Sequence, residues 1–206
     1  MVGNKTLQLG DTYQNTWGEP FTVRQLRYYI HRLSYTDDKG INYTTSEAYY
    51  LVDEADSSSK IIYLPAPAGA LISIRFTLGV DSIDNTSGAQ AGALDPVKGM
   101  FWTWNSGYIF AKLEGRSDSS HAPGHYMSYH VGGFKPSQNA LREIKLAATP
   151  GSSTTSMTVI QADVLAWFHG AHRIAISQSP VCHEPGATAL QLADNYSAMF
   201  TLAPAL

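Results

Sequence analysis

Residues 71–80 read Leu-Ile-Ser-Ile-Arg-Phe-Thr-Leu-Gly-Val and carry the clearest strand pattern in the chain. Apolar residues occupy every second position from Ile72 to Val80, and polar residues such as Ser73 and Arg75 lie between them. Successive side chains of a strand point to opposite faces, so this alternation predicts a strand with one buried face.

Further segments share this strand character, and turn signals separate nearly all of them. Helix is predicted only at 164–170 and 187–199, and the polar stretch 81–98 is predicted to be a functional loop or a short helix. So many strands at short spacing predict an all-β fold, an antiparallel sandwich or barrel with little helix, in one domain over residues 1–206. The other predicted strands are 21–33, 47–52, 60–64, 100–113, 126–131, 141–146, 156–168 and 173–176.

Composition excludes some classes of protein. The formal net charge is −3, only 15% of residues are charged, and lysines and arginines are scattered singly. Nucleic-acid-binding proteins gather such residues into basic stripes, so we expect no nucleic-acid partner. The many Tyr, Ser, Thr, Gly and Asn residues suit strands joined by turns and give the chain an extracytoplasmic character. No apolar run is long enough to span a membrane, and no signal-peptide pattern opens the chain, which leaves open that an export signal has been removed.

The most unusual stretch is 100–110, which reads Met-Phe-Trp-Thr-Trp-Asn-Ser-Gly-Tyr-Ile-Phe and holds half of the four tryptophans. Residues i and i+2 of a strand share a face, so Trp102 and Trp104 are expected to form one aromatic surface. Two interpretations stay open from the residues alone. The surface is a wall of the core, or it is a working site that stacks on a ligand such as a sugar.

Histidine is the second notable feature, because six of the seven histidines lie after residue 120. Imidazole is the commonest metal ligand, although the spacing of His121, His125 and His130 matches no zinc signature. His130 ends the predicted strand 126–131, where a rigid scaffold presents side chains to a site. A metal ligand and a hydrogen-bonded structural residue are both open for His130, and His121 and His125 are predicted loop residues.

Catalytic chemistry finds little support in the residues. Cys182 and His183 are adjacent, so in a strand their side chains point to opposite faces and cannot act as a nucleophile and its base. The chain has no phosphate-cradling glycine motif and no HExxH motif. No nucleophile, base and oxyanion donors can be named together, and we therefore expect no enzyme.

Several stretches, in this order along the chain, resemble the MbnP-like copper-binding domain family. The resemblance covers most of the chain, and its most specific part is 100–108. The stretches are 26–30, 76–80 (Phe-Thr-Leu-Gly-Val), 93–96 (Ala-Leu-Asp-Pro), 99–113, 129–133 (Tyr-His-Val-Gly-Gly) and 160–164.

The resemblance implies a secreted, periplasmic or lipid-anchored β-rich protein that handles copper. In the best-known members, Cu(I) is held by histidines and by a tryptophan that a di-haem enzyme of the cytochrome c peroxidase type oxidises to kynurenine. Carried onto this sequence, the tryptophan candidates are Trp102 and Trp104, and the clearest histidine match is His130. We expect the second histidine ligand to be His121, His125 or His183.

The sequence departs from the family pattern at two places. Copper-handling members carry an Asn-His pair shortly after the Leu-Gly-Val strand, where this chain has Asn85-Thr86. Cysteines that flank the histidine-glycine motif in some members are absent around His130. Two hypotheses follow: an exported copper-binding protein that uses another histidine, or a cell-surface β-sandwich module that has lost the metal and binds a glycan or protein through aromatic residues.

Overall fold

A computed structural model describes residues 1–45, 49–103, 106–148 and 157–203. It contains twelve strands and two α-helices, with short 3-10 helices in the connections. The strands are β1 (Thr12–Gln14), β2 (Pro20–Asp37), β3 (Asn42–Thr44), β4 (Tyr49–Asp53), β5 (Leu71–Leu78), β6 (Phe101–Thr103), β7 (Gly107–Arg116), β8 (Tyr126–Gly132), β9 (Arg142–Ala147), β10 (Ile160–Ala162), β11 (Val181–Cys182) and β12 (Phe200–Leu202); the helices are α1 (Ser82–Thr86) and α2 (Ala187–Ser197).

Most of these strands form one large curled sheet in the order β11-β8-β7-β2-β5-β9. The long strand β2 also pairs with β1, β3 and β4, and β6 pairs with β7. β10 and β12 form a separate two-stranded sheet. The all-β prediction is confirmed, but the large sheet is mixed rather than purely antiparallel, because β11 runs parallel to β8. Parallel pairing needs a long crossover connection, which the chain between β8 and β11 supplies.

Helix α2 closes the buried face of the sheet, where it packs on β8 and β9. Its Leu192 and Tyr196 side chains are fully buried. Between helix and sheet, the ring of Trp167 lies 4.9 Å from the ring of Tyr196 and 6.4 Å from that of Tyr129. Helix α2 thus covers one face of β8. Because successive side chains of a strand point to opposite faces, every second residue of β8 points away from α2.

The predicted strand 100–113 is two strands, β6 and β7, which form a hairpin. Gly107 opens β7 with a φ of 74°, a left-handed conformation that glycine adopts without steric cost. The antiparallel pairing of Phe101 with Tyr108 and of Thr103 with Gly107 shows that the chain reverses direction between the two strands. The interpretation of Trp102 and Trp104 as one indole face requires Trp104 to continue the strand of Trp102, and Trp104 lies outside the described residues.

Three other predicted strands are wrong in whole or in part. Residues 61–64 have no strand pairing and precede a proline-containing connection. Residues 173–176 form no strand of the sheet, because the amide of Ile176 donates instead to the carboxylate of Glu19 at 2.8 Å. In 156–168 only β10 is a strand within the described part, since Asp163 accepts a hydrogen bond from the Leu165 amide and starts a 3-10 turn.

The predicted helical segments are confirmed. Helix α2 lies within 187–199, a 3-10 turn occupies Val164–Trp167, and the stretch 81–98 contains the short helix α1. Strand β5 departs from perfect alternation at Ile72, which is 46% exposed. The register between β2 and β5 shifts at Thr36, so the first residues of β5 leave the alternation that the sequence predicts. No helix in the described part of the chain is long and apolar enough to cross a membrane.

Candidate metal site

The candidate site lies on the outer face of β8. Alternation along this strand buries Tyr129 and Val131 and leaves Ser128 and His130 only partly buried. In β11, Val181 pairs with Ser128 and Cys182 with Tyr129, so the next residue of that chain segment, His183, comes to lie beside His130. Strand pairing thus places two histidines together that are far apart in the sequence.

The two imidazoles are close neighbours. Their ring centroids are 4.4 Å apart and their planes are inclined by 31°. The hydroxyl of Ser128 lies between them, with its Oγ 2.8 Å from Nε2 of His183 and 3.3 Å from Nε2 of His130. Nε2 of His130 and Nε2 of His183 therefore both face the hydroxyl group of Ser128.

Glu114 on the neighbouring strand β7 completes this cluster. Its Oε1 lies 2.5 Å from Nε2 of His130. The hydrogen bond with His130 lowers the pKa of Glu114 despite the opposing effect of burial, so the carboxylate is ionised at neutral pH. Partial burial, and next the neighbouring His130, lower the pKa of His183, which favours its neutral imidazole.

A buried lysine anchors the chain segment that leads into β6, the strand of Trp102. Lys112 lies opposite His130 in the β7–β8 pairing and donates from Nζ to the carbonyl of Gly99 at 2.6 Å. Arg27 of β2 donates to the adjacent carbonyl of Lys98 at 2.8 Å. Burial lowers the pKa of Lys112. These two bonds fix the chain immediately before β6 against the sheet.

Trp102 lies over the end of β8. Its side chain is partly buried and packs against the core. A Cβ atom added to Gly132 would lie 2.9 Å from Cζ3 of Trp102, so the ring occupies the space above this glycine. Gly132 follows His130 by two residues and shares its face of the strand, about 7 Å further along. Trp102 thus lies over the strand position two residues beyond His130.

We expect Gly132→Ala to destabilise the protein by about 1–3 kcal/mol and to displace the Trp102 ring. The added methyl group would lie 2.5 Å from the backbone oxygen of Tyr108, which cannot move aside as a flexible side chain does. Thermal unfolding and tryptophan fluorescence measure the two effects. Gly186→Ala is the control, because a Cβ there meets nothing within 4 Å. Equal stability of the two variants would contradict this description of the Trp102 environment.

Comparison with known proteins identifies the family to which this chain belongs. A family model, MbnP, matches residues 1–184. The chain belongs to the MbnP family. Among solved structures, MbnP from Methylosinus trichosporium aligns with a TM-score of 0.60 and 15% identity, covering 100% of this chain and 96% of that chain. At this identity the likeness shows the fold alone. A search of curated proteins finds no match.

This MbnP family member differs at the position of the expected Asn-His pair. Asn85 is fully buried and ties α1 to the sheet, since its Oδ1 accepts from the Tyr108 amide at 2.8 Å and its Nδ2 donates to the Val80 carbonyl at 2.7 Å. The next residue, Thr86, is exposed and bonds back to the Ile83 carbonyl at 2.9 Å. The asparagine thus has a structural role here, and Thr86 brings no imidazole.

The other two candidate histidines lie elsewhere. His121 and His125 are exposed in the connection between β7 and β8, and His125 bonds through Nδ1 to the Ser120 carbonyl at 3.0 Å. His125 is five residues from His130, about 16 Å along an extended strand. In the described part of the chain, neither loop histidine is brought to His130.

Sequence reasoning did not single out Glu114 and Ser128. Ser128 shares the face of His130 because the two residues are two positions apart in β8, whereas Glu114 joins the cluster through cross-strand pairing, in which it lies opposite Ser128. No three His, Cys, Asp or Glu side chains within the described residues are grouped closely enough to hold a metal ion as they stand. The cluster therefore offers two imidazoles as metal-ligating groups, while the Glu114 carboxylate is hydrogen-bonded to the imidazole of His130.

Proposed function

We propose that this member of the MbnP family is an exported copper-binding protein whose histidine ligands are His130 and His183. The observation that supports this proposal most strongly is the distance of 4.4 Å between the ring centroids of the two imidazoles. Imidazole nitrogen is a donor that suits copper. A metal binds the neutral form of the ring, which the lowered pKa of His183 favours.

The donor set fits copper in part. Two imidazoles are present, and Trp102 lies at the end of the same face, over Gly132. Conversion of Trp102 or Trp104 to kynurenine would cleave the C2–C3 bond of the indole with oxygen from two molecules of hydrogen peroxide, which leave as water, and hydrolysis would then release the C2 carbon as formate. The product would replace a weakly coordinating indole by an aromatic amine and a ketone. We propose that such an oxidation needs a partner, a di-haem enzyme of the cytochrome c peroxidase type. MbnP is a non-catalytic accessory family, in keeping with a chain that is not itself an enzyme.

The alternative, an interaction module that binds a glycan or protein through aromatic residues, requires accessible indoles. Trp102 is partly buried and packs against the core, which argues against a stacking platform built on that residue. Trp104 lies outside the described residues. The copper hypothesis is therefore the one that the described side chains favour.

Copper titration combined with mass spectrometry tests the proposal. The protein is produced beside its natural redox partner, titrated with Cu(I), and digested to examine the peptide that holds Trp102 and Trp104. We expect one copper per chain and an oxidised tryptophan. Protein with neither Cu(I) affinity nor added oxygen on that peptide would refute the mechanism.

A further inference from the structure

We propose that Glu114 is a positioning residue that holds the proton of His130 on Nε2 and leaves Nδ1 as the nitrogen that binds metal. This inference rests on the proposed function of His130 and names the atom through which it acts. Its basis is the contact of 2.5 Å between Oε1 of Glu114 and Nε2 of His130.

The chemistry of the two groups fixes the direction of this hydrogen bond. An ionised carboxylate only accepts hydrogen bonds, so Nε2 of His130 must be the donor. A glutamate carboxyl group ordinarily titrates at about pH 4.3, roughly four units below the pH of 8.5 at which the protein is tested, so the carboxylate is ionised there. A neutral imidazole carries one hydrogen, and with that hydrogen on Nε2 the lone pair is on Nδ1.

Ser128 alone would not make this choice. Its hydroxyl oxygen lies 3.3 Å from the same Nε2, and a hydroxyl either donates or accepts. The shorter contact of Ser128 is with His183, at 2.8 Å. Removing the charge of Glu114 would therefore leave His130 free to populate both tautomers.

The arrangement has a known physical consequence for metal binding. A carboxylate that accepts from the second nitrogen of a metal-binding histidine fixes the tautomer and the orientation of the ring, and it raises the basicity of the ligating nitrogen. Loss of such a partner typically lowers metal affinity by about 10–100-fold. Glu114 is 36% exposed and His130 17% exposed in their side chains, so the pair is shielded but reachable by an ion.

Nitrogen NMR of the metal-free protein tests the inference directly. With 15N-labelled histidine at pH 8.5, long-range proton–nitrogen correlations distinguish a protonated from an unprotonated ring nitrogen. We expect His130 to carry its proton on Nε2 in the wild-type protein and to become a mixture of tautomers in Glu114→Gln. Wild-type His130 protonated on Nδ1, or an unchanged single tautomer in the variant, would overturn the inference.

Copper affinity supplies the second measurement. Glu114→Gln is expected to weaken Cu(I) binding by about 10–100-fold. Glu143→Gln, which removes an exposed carboxylate from β9, is expected to leave the affinity unchanged. Equal affinities of the wild-type and Glu114→Gln proteins would contradict the positioning role. Absence of copper binding in every form would instead refute the proposed function, while the NMR result on metal-free protein would still decide the tautomer.

Discussion

Replacing both His130 and His183 by asparagine is expected to lower the Cu(I) affinity of the protein by at least about 100-fold. The two imidazoles are the nitrogen donors that strand pairing brings together, and loss even of a group that only supports a ligand costs about 10–100-fold in metal affinity. Asparagine keeps the two positions polar, so the sheet should stay folded. Competition with a chromophoric Cu(I) chelator gives the affinity, and circular dichroism monitors the fold.

The matched control for this double variant replaces His121 and His125 by asparagine. These residues are exposed in the loop between β7 and β8, and the structure does not bring them to His130. We expect the control to bind Cu(I) with wild-type affinity. If the loop variant loses binding and the His130/His183 variant keeps it, the site has been assigned to the wrong histidines.

Glu19→Gln is expected to cost about 2–4 kcal/mol in the free energy of unfolding, because hydrogen bonds to a buried charge are worth more than neutral ones. Glu19 is 8% exposed, and its carboxylate accepts four hydrogen bonds. The donors are the Ile176 amide at 2.8 Å, the Ser177 amide at 2.9 Å, the Ser177 hydroxyl at 2.6 Å and Nδ2 of Asn15 at 2.7 Å. Glutamine turns an amide group toward two of these donors. Urea denaturation measures the loss, and Glu143→Gln serves as the surface control.

The effect of Glu19 should also depend on pH. Burial alone would raise the pKa of Glu19, but the hydrogen bonds from Ser177 and Asn15 hold it below its usual value of 4.5. A carboxylate whose folded pKa is depressed stabilises the fold above its unfolded pKa, and this contribution is lost as the pH falls through the folded pKa. The stability difference between wild type and Glu19→Gln is thus expected to shrink below about pH 4.5. A difference that grows on acidification would contradict this explanation.

The fold class was predictable because strand alternation is a local signal. Residues 71–80 and 126–131 show their periodicity without any knowledge of the rest of the chain. The wrong strand predictions arise where a segment bonds to residues that are distant in the sequence. Residues 173–176 have strand composition, yet the carboxylate of Glu19 takes the amide of Ile176 that a strand would have used for pairing.

The candidate site was only partly predictable for the same reason. His130 could be proposed from its place at the end of a strand and from the family resemblance. Its pairing with His183 depends on the register between β8 and β11, which no local pattern encodes. The position of Glu114 depends likewise on the register between β7 and β8, whereas Ser128 shares the face of His130 within one strand. Knowledge of the strand register in the sheet would have identified the cluster of His130, His183, Glu114 and Ser128.

X-ray absorption spectroscopy of the Cu(I)-loaded protein tests the central claim most directly, because it reports the ligands of the bound ion. We predict one copper per chain with scattering from two imidazoles at about 2 Å, a pattern that disappears when His130 and His183 are both replaced by asparagine. A copper site without imidazole scattering, or an unchanged spectrum in that variant, would contradict the claim.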